Sequence, residues 1–281
     1  MTVPPRRAVF TLVPGALAWL ALAARAPWTN LADDNVRTVL AVAGWALWMT
    51  ATIAVLVPSA MSLTITRYIA PLAVAAAVAA ADPWAAGAAA VALVVIATSR
   101  FADTMVQGGA YGNETRFCLR TPVPYMVPAA LVWCLHVGAL TAGAVLAADA
   151  HVAIGVVLLV LGAGLSLTVP RRLHRLARRW LVVVPAGIVV HDHVVLAETF
   201  MVRRSAVTGV QVTTGPTDAA DLTGGVAGAR LAISLATPEK VILSDITARL
   251  LKTTGALHVS TFAVAPRRPA AFLEASGLVR R

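Results

Sequence analysis

The sequence predicts an α-helical transmembrane bundle of about six helices, followed by a small cytosolic β-barrel or β-sandwich that ends in a helix. Three observations lead to this fold class. The chain is 59% hydrophobic and only 13% charged, whereas soluble domains have about 25% charged residues. Long apolar stretches occur before residue 170, and alternating apolar and polar residues replace them after residue 180. Arginines accumulate at alternate connections between the apolar stretches.

Six apolar stretches mark the predicted transmembrane helices, because a helix needs about 20 residues to cross about 30 Å of hydrocarbon. They are Ala8–Ala24, Thr38–Val57, Tyr68–Ala81, Ala85–Thr98, Met126–Ala148 and Val152–Val169. We expect the first to be a retained helix, with a cleaved signal peptide as the alternative. The third and fourth are short, so they either span twice or form a re-entrant hairpin. Their small side chains suit close packing, either within this bundle or in an oligomer.

The charges beside these stretches predict the orientation, because basic residues favour the cytosolic side of a membrane. Eleven arginines fall on one side: Arg6, Arg7, Arg67, Arg100, Arg116, Arg120, Arg171, Arg172, Arg175, Arg178 and Arg179. The other side carries two arginines and four aspartates: Arg25, Arg37, Asp33, Asp34, Asp82 and Asp149. We therefore predict a multi-pass cell-membrane protein with cytosolic N- and C-termini. The predicted domains are a transmembrane domain over 1–170, a basic juxtamembrane helix over 171–179 and a cytosolic β-domain over 180–281.

The basic segment Arg171–Arg179 is predicted to continue the last span as an amphipathic helix. Leu173, Leu176 and Ala177 share one arc of a helical wheel. The opposite arc holds the candidate lipid-binding residues Arg171, Arg172, Arg175, Arg178 and Arg179. Anionic headgroups attract such a face by about 1 kcal/mol per basic residue near the surface. The alternative is a segment that only fixes the topology.

The longest connection between the apolar stretches, Arg100–Tyr125, is a candidate interaction loop. It is rich in glycine, proline and charge, and it contains Arg116 and Arg120. Loops of this length often carry function. We expect it either to dock against residues 180–281 or to bind a protein partner.

His136 is the ionisable residue that falls inside a firmly hydrophobic stretch. A proton relay or metal site would need a partner, and no Asp, Glu or second His lies at the same predicted depth. We interpret His136 as a neutral residue bonded to a neighbouring helix, with a functional His as the alternative. The His191-Asp192-His193 run lacks a third ligand on its face, and Cys118 and Cys134 have no metal spacing. No metal site, cofactor or catalytic residue is therefore predicted.

The C-terminal region is predicted to contain about seven strands and a final helix. Trp180–Val184 and Ile188–His191 form a predicted hairpin across Pro185–Gly187. The further predicted strands are Thr199–Val202, Val207–Thr213, the alternating segment at Leu231–Leu235, Val241–Leu243 and Leu257–Val264. Ser244–Lys252 is predicted to be a short helix capped by Ser244, and Arg268–Val279 the terminal helix.

This region resembles the bacterial pleckstrin-homology-like (PH-like) domains. The resemblance rests on the Trp180–His191 hairpin, the segment Thr199–Val207 that leads into Val210–Val212, and the helix Pro269–Leu278. It implies binding of lipid headgroups or proteins without catalysis. The long polar loop Thr213–Gly228 departs from a compact PH-like pattern, and its lack of a basic cluster argues against phosphoinositide-type recognition.

The whole chain also resembles a group of uncharacterised actinobacterial multi-pass membrane proteins. The matching stretches are Tyr111–Pro124 and Arg178–Asp192. This resemblance implies a common architecture and no particular activity.

The predicted function is that of a non-enzymatic scaffold or interaction protein whose cytosolic domain binds a protein partner or anionic lipid at the inner leaflet. An accessory subunit of a cell-envelope or lipid-handling complex, a homo-oligomer, and a small transporter or membrane enzyme are the alternatives. Nucleic acid is not an expected partner. Although the net charge is +10, residues 180–281 carry only ten Lys and Arg against seven Asp and Glu.

Overall fold

The structure is a computed structural model that describes residues 6–31, 34–149, 151–215, 218–250, 253 and 255–278. The side chains of residues 6–11, 34 and 250 lie outside this description. The chain divides into two compact units. A helical unit comprises Met1–Gly108 and Ala130–Leu173, and a β unit comprises Gly109–Ala129 and His174–Arg281. The β unit thus includes residues 109–129, which lie far before residue 180 in the sequence.

Among the described residues, eight helices precede the main β-sheet region, and a short 3₁₀ turn, Pro27–Thr29, follows the first of them. They are α1 (Arg6–Arg25), α2 (Asp34–Leu56), α3 (Ala60–Ala79), α4 (Pro83–Ala97), α5 (Ser99–Gln107), α6 (Val123–Ala148), α7 (Val152–Ser166) and α8 (Val169–Ala177). Side chains cap several of them. Ser59 accepts a hydrogen bond from the backbone N–H of Ser62 at the start of α3, and Asp82 accepts one from Ala85 at the start of α4.

Four helices in the described residues are long and apolar enough to cross a membrane. They are Asn35–Leu56, Ala60–Ala79, Val123–Ala148 and Val152–Ala177. The pair α4 and α5 bends by 62° and would add a fifth as one broken span. The prediction of a helical region with apolar spans is therefore confirmed. The described helices give four candidate spans, or five with the bent pair, whereas six were predicted. The first predicted span, Ala8–Ala24, falls partly on undescribed side chains, so it stays a prediction.

The third span begins eight residues earlier than the predicted Tyr68. Thr64 and Thr66 donate their hydroxyls to the carbonyl oxygens of Ala60 and Ser62. Bonds of this kind satisfy polar side chains inside an apolar helix. The polar residues before Tyr68 therefore belong to α3, although they mark the end of a span in a simple hydropathy reading.

Glycines bring α6 and α7 close together in the helical unit. A Cβ built on Gly155 would lie 2.4 Å from the backbone nitrogen of Ala147, and one on Gly162 would lie 2.6 Å from Leu140 Cδ2. Small residues permit this approach of two membrane helices. The Ala-rich helices α3 and α4 also pack within the chain, through Ala73, Ala77, Ala85 and Ala89. That arrangement matches the intrachain alternative of the prediction, and the oligomer alternative stays open.

The β unit contains two four-stranded sheets among its described residues. The first has the order β1-β2-β3-β4, with β1 (Thr115–Cys118), β2 (Arg179–Val184), β3 (Gly187–Asp192) and β4 (Phe200–Arg203). The second has the order β5-β7-β8-β6, with β5 (Val207–Thr213), β6 (Ala220–Asp221), β7 (Arg230–Ile242) and β8 (Ala256–Val264). The short helix α9 (Asp245–Leu250) lies between β7 and β8, and α10 (Pro269–Ser276) follows β8. The predicted β-rich C-terminal region is therefore confirmed.

The core of the β unit combines one face of each sheet with α10. Leu181 and Val190 from the first sheet and Ile233 and Phe262 from the second are buried in a single cluster. Phe272 of α10 is fully buried in it, with its ring 5.7 Å from that of Phe117 in β1. Large aromatic side chains contribute strongly to such cores, so the terminal helix is part of the packing of this unit.

The strands of the β unit differ from the sequence prediction in three details. The segments around Leu231–Leu235 and Val241–Leu243 were expected as separate strands, but both lie on β7, which continues through an irregularity between Ser234 and Glu239. The strand β6 was not predicted, and it lies within the expected polar loop Thr213–Gly228. The strand β1 was not predicted either. Its four residues pair antiparallel with β2, in the register Cys118↔Trp180. The predicted helix ends at Lys252 and Val279 lie outside the described residues.

Candidate lipid-binding and partner-binding residues

The helix α8 presents an exposed basic face. Arg171, Arg172 and Arg175 are exposed on it, and Arg178 is exposed directly after its end. Leu173 and Leu176 are half-buried, and Ala177 is buried. The structure therefore separates the basic and apolar arcs in the way the helical wheel predicts for these residues. No acidic residue lies within α8, so no side chain of the helix itself neutralises the arginines.

Arg179 does not belong to this face. The helix ends at Ala177, and Arg179 begins β2 opposite Asp192 of β3. Its side chain is 1% exposed and that of Asp192 is 0% exposed. Arg179 was predicted to bind lipid because the wheel assumes an unbroken helix, and the start of the strand turns it into the interior. The structure therefore removes Arg179 from the candidate lipid-binding set.

Each guanidinium nitrogen of Arg179 and each carboxylate oxygen of Asp192 has a hydrogen-bond partner. Arg179 Nε donates to Asp192 Oδ1 at 2.8 Å, and Nη2 donates to Oδ2 at 2.7 Å. Nη1 donates to the carbonyl oxygen of Arg120 at 2.8 Å, and Nη2 also donates to that of Thr223 at 3.2 Å. Buried charges are tolerated when they are paired and hydrogen-bonded in this way. The pair therefore links β2 and β3 to the β1–α6 connection and to the loop before β7.

Arg120, a predicted partner-binding residue, bonds within the β unit. Its Nη1 donates to the carbonyl oxygen of Ala227 at 2.9 Å, and its Nη2 donates to that of Ala229. Burial lowers the pKa of the Arg120 guanidinium, and the charge of Arg230 lowers it further. The loop Arg100–Tyr125 was predicted either to dock against residues 180–281 or to bind a separate partner. The bonds of Arg120 to Ala227 and Ala229 are docking of the first kind. Contact with a separate partner stays a prediction.

Arg116, the other predicted partner-binding residue, forms one end of a stack of side chains on the first sheet. Its Nη2 lies 2.6 Å from Glu114 Oε1, and its guanidinium carbon lies 5.2 Å from the centre of the Trp180 ring. Trp180 stacks on His191, with 4.6 Å between ring centres, and His193 meets His191 edge-on. Cation–π and stacking contacts of this kind fix side-chain orientations.

His191 is held in its neutral form by this stack. Burial, with smaller contributions from nearby positive groups, lowers the pKa of the His191 imidazole to about 4. His191 and His193 lie one position to either side of Asp192, whose carboxylate is bonded to Arg179. Within the described residues, no group of three or more His, Cys, Asp or Glu side chains is placed to hold a metal ion.

His136 lies in a hydrogen-bonded chain that joins three helices. Tyr68 Oη of α3 is 2.6 Å from His136 Nδ1, and Ser166 Oγ of α7 is 2.7 Å from His136 Nε2. The Ser166 hydroxyl donates to the carbonyl oxygen of Gly162 at 2.9 Å. It therefore accepts from His136 Nε2–H, which leaves Nδ1 as the acceptor for the Tyr68 hydroxyl.

The bonds of His136 to α3 and α7 match the predicted bonding to neighbouring helices, and its neutral form stays a prediction. Trp133 adds a bond from its indole N–H to the carbonyl oxygen of Tyr68, at 3.2 Å. Sequence reasoning identified His136 but missed Tyr68 and Ser166. The signal available in the sequence was that polar side chains are rare in the apolar helices. Sequence spacing does not show which polar residues of different helices lie at the same depth in the membrane.

Comparison of the chain with protein-family models, with curated proteins and with solved structures gives no match.

Proposed function

We propose that this protein is a membrane-embedded, non-enzymatic interaction protein whose basic helix binds anionic lipid headgroups at the inner leaflet. In this proposal both termini are cytosolic, and the PH-like β unit offers a binding surface on the same side. The observation that carries the proposal is the exposed arginine face of α8, which forms the C-terminal end of the candidate span Val152–Ala177. The two sheets with α10 in their core support the resemblance to PH-like domains.

The attraction of α8 to anionic lipid is electrostatic. A basic residue near an anionic leaflet contributes about 1 kcal/mol, so Arg171, Arg172, Arg175 and Arg178 together contribute about 4 kcal/mol. That amount corresponds to a preference of roughly 1,000-fold for anionic over neutral lipid. The long arginine side chains can extend to headgroups while the apolar arc faces the opposite way. Arg179 contributes nothing to this attraction because its charge is buried against Asp192.

The proposal is tested by replacing Arg171, Arg172, Arg175 and Arg178 with Gln in the full-length protein. The measured quantity is the selectivity for spin-labelled phosphatidylglycerol over phosphatidylcholine in reconstituted membranes. We expect the variant to lose most of this selectivity. The control is Lys240→Gln with Arg249→Gln, which removes two exposed charges of the β unit outside α8. Unchanged selectivity in the fourfold variant would refute the lipid role, and an equal loss in the control would assign it to net charge.

A further inference from the structure

The loop between β6 and β7, residues 222–229, meets two arginines from outside it. The loop itself contains no lysine or arginine. Arg120, from the connection that follows β1, donates from Nη1 to the carbonyl oxygen of Ala227 at 2.9 Å and from Nη2 to that of Ala229. Arg230 begins β7 directly after the loop. The fold therefore brings to this β6–β7 loop the basic side chains that its own sequence lacks.

These two guanidiniums have one carboxylate between them among the described residues. Arg230 Nη1 lies 3.7 Å from Asp221 Oδ2, and both side chains are partly exposed. Arg120 binds carbonyl oxygens and forms no ion pair with a described carboxylate. Burial lowers the pKa of the Arg120 guanidinium, and the charge of Arg230 lowers it further. A half-buried cation beside a second cation, without a counter-charge of its own, favours an anion from outside the chain.

Unused hydrogen-bond donors surround the pair. A guanidinium carries five N–H donors. Arg120 uses two of them, and Arg230 uses one, from Nη2 to the carbonyl oxygen of Gly215 at 3.3 Å. The Nε atoms of both arginines are covered by protein and have no hydrogen-bond partner among the described residues. The exposed residues Ala227 and Gly228 add backbone N–H groups that donate to no described acceptor. Phosphate oxygens accept several such donors at once, and arginine suits them because its donors are paired.

A glycine keeps the Arg120 guanidinium accessible from the loop. Gly228 has a φ of +83°, in the left-handed region that favours glycine. A Cβ built on it would lie 3.5 Å from Arg120 Nη1. A longer side chain at this position would therefore cover the guanidinium.

The β6–β7 loop also lies beside the start of a candidate membrane span. A Cβ built on Gly225 would lie 3.9 Å from Pro124 Cγ, and one built on Gly224 would lie 3.1 Å from Pro122 Cγ. Pro124 is the second residue of the candidate span Val123–Ala148. The ends of a membrane-spanning helix lie at the level of the lipid headgroups, so phosphate groups are the anions expected there.

We propose that Arg120 and Arg230, together with backbone N–H groups of the β6–β7 loop, bind a phosphate group. The arginines supply the charge and the paired donors, and the exposed loop amides complete the set of contacts. A lipid headgroup and a soluble phosphate compound share this chemistry. The site uses none of the α8 arginines, so the inference goes beyond the proposed lipid binding and does not depend on it.

The first test is calorimetric titration of the full-length protein with inorganic phosphate at constant ionic strength. The detergent is a maltoside, which contains no phosphate, and the background is the fourfold Gln variant of α8, which removes that competing basic face. We expect saturable binding that Arg230→Gln weakens at least about tenfold through lost charge-assisted hydrogen bonds. The control, Arg203→Gln, removes an exposed guanidinium from β4 and should leave binding unchanged. An absence of saturable binding, or equal weakening by the control, would overturn the proposal.

The second test keeps both arginines in place. Ala227→Glu adds a carboxylate at the residue whose carbonyl oxygen binds Arg120 Nη1, so it should compete with phosphate and weaken binding at least about tenfold. Ala227→Gln has nearly the same size without the charge and is the matched control. Circular dichroism checks the fold of both variants, which should be unchanged because Ala227 is exposed. Equal phosphate affinities of the two variants would contradict the proposed site.

The source of the phosphate is identified in the same background, reconstituted in phosphatidylcholine membranes. The measured quantity is the selectivity for spin-labelled phosphatidic acid over phosphatidylcholine. A higher selectivity of Ala227→Gln than of Ala227→Glu would assign the phosphate to a lipid headgroup. Equal selectivities, with the phosphate binding of the first test intact, would assign it to a soluble phosphate compound.

Discussion

Arg179 and Asp192 form a two-point ion pair inside the β unit, with nitrogen–oxygen distances of 2.8 and 2.7 Å. Arg179 opens β2 and Asp192 closes β3, so the pair sits at one end of a hairpin. The backbone N–H of Val194 also donates to Asp192 Oδ1, at 3.1 Å. One carboxylate therefore ties the hairpin to the chain that follows it.

Removing one partner of this pair should destabilise the β unit strongly. We expect Asp192→Asn to lower the free energy of unfolding by about 3–5 kcal/mol, because it leaves the Arg179 charge buried without a counter-charge. Thermal unfolding of the full-length protein in mild detergent measures the loss. The double variant Arg179→Met with Asp192→Leu should lose less than either single variant. A loss below about 1 kcal/mol for Asp192→Asn would show that the charge finds another partner.

The glycine contact between α6 and α7 predicts a difference between two alanine substitutions in the same helix. Gly155→Ala would place a methyl group 2.4 Å from the Ala147 nitrogen, so we expect a loss of about 1–3 kcal/mol from overpacking. Gly164→Ala meets no atom within 4 Å and should be neutral or stabilising by up to about 1 kcal/mol. Unfolding in mixed detergent micelles compares the two variants, and equal stabilities would contradict the packing of these helices.

The hydrogen bonds that join Tyr68, His136 and Ser166 are predicted to stabilise the helical unit modestly. We expect Tyr68→Phe to lower the stability of the helical unit by about 0.6–1.7 kcal/mol, the range measured for hydrogen bonds between membrane helices. His136→Phe should cost more, because it breaks the bonds to both Tyr68 and Ser166. Tyr111→Phe is the control, since Tyr111 is 93% exposed. If Tyr68→Phe and Tyr111→Phe change the stability equally, the hydrogen bonds at His136 contribute nothing to helix association.

The low pKa of His191 predicts an acid-sensitive step in the stability of the β unit. The imidazole has a pKa of about 4 in the folded protein and about 6.5 when unfolded. Between these values the unfolded chain binds a proton that the folded chain does not, so stability should fall as the pH falls from about 6.5 to about 4. Stability against pH for the wild type and for His191→Gln measures this. An unchanged slope in the variant would assign the effect to other groups.

The parts of the fold that depend on composition could be predicted from the sequence, and the parts that depend on distant partners could not. The apolar segments around Thr38–Val57 and Met126–Ala148 are evident because lipid-spanning helices require long apolar runs. The strand β1 was missed because it has only four residues and its partner, β2, lies about 60 residues further along the chain. Nothing local in such a segment distinguishes it from a loop.

The candidate sites show the same limit. Helical periodicity placed Arg171, Arg172 and Arg175 correctly on an exposed face, because these residues lie on a continuous helix. The same periodicity failed at Arg179, where strand pairing with β3 replaces the helix. His136 was identified by its polarity alone. Its bond to Tyr68 depends on how α3 and α6 pack, which sequence spacing does not contain.

The central feature of the proposed function is the anionic lipid that accompanies the protein. The measurement is mass spectrometry of the phospholipids that co-purify with the full-length chain in mild detergent, compared with those of the source membrane. We predict enrichment of an anionic phospholipid on the wild type, and its loss when Arg171, Arg172, Arg175 and Arg178 are replaced by Gln. A bound-lipid composition equal to that of the source membrane would contradict the proposed function.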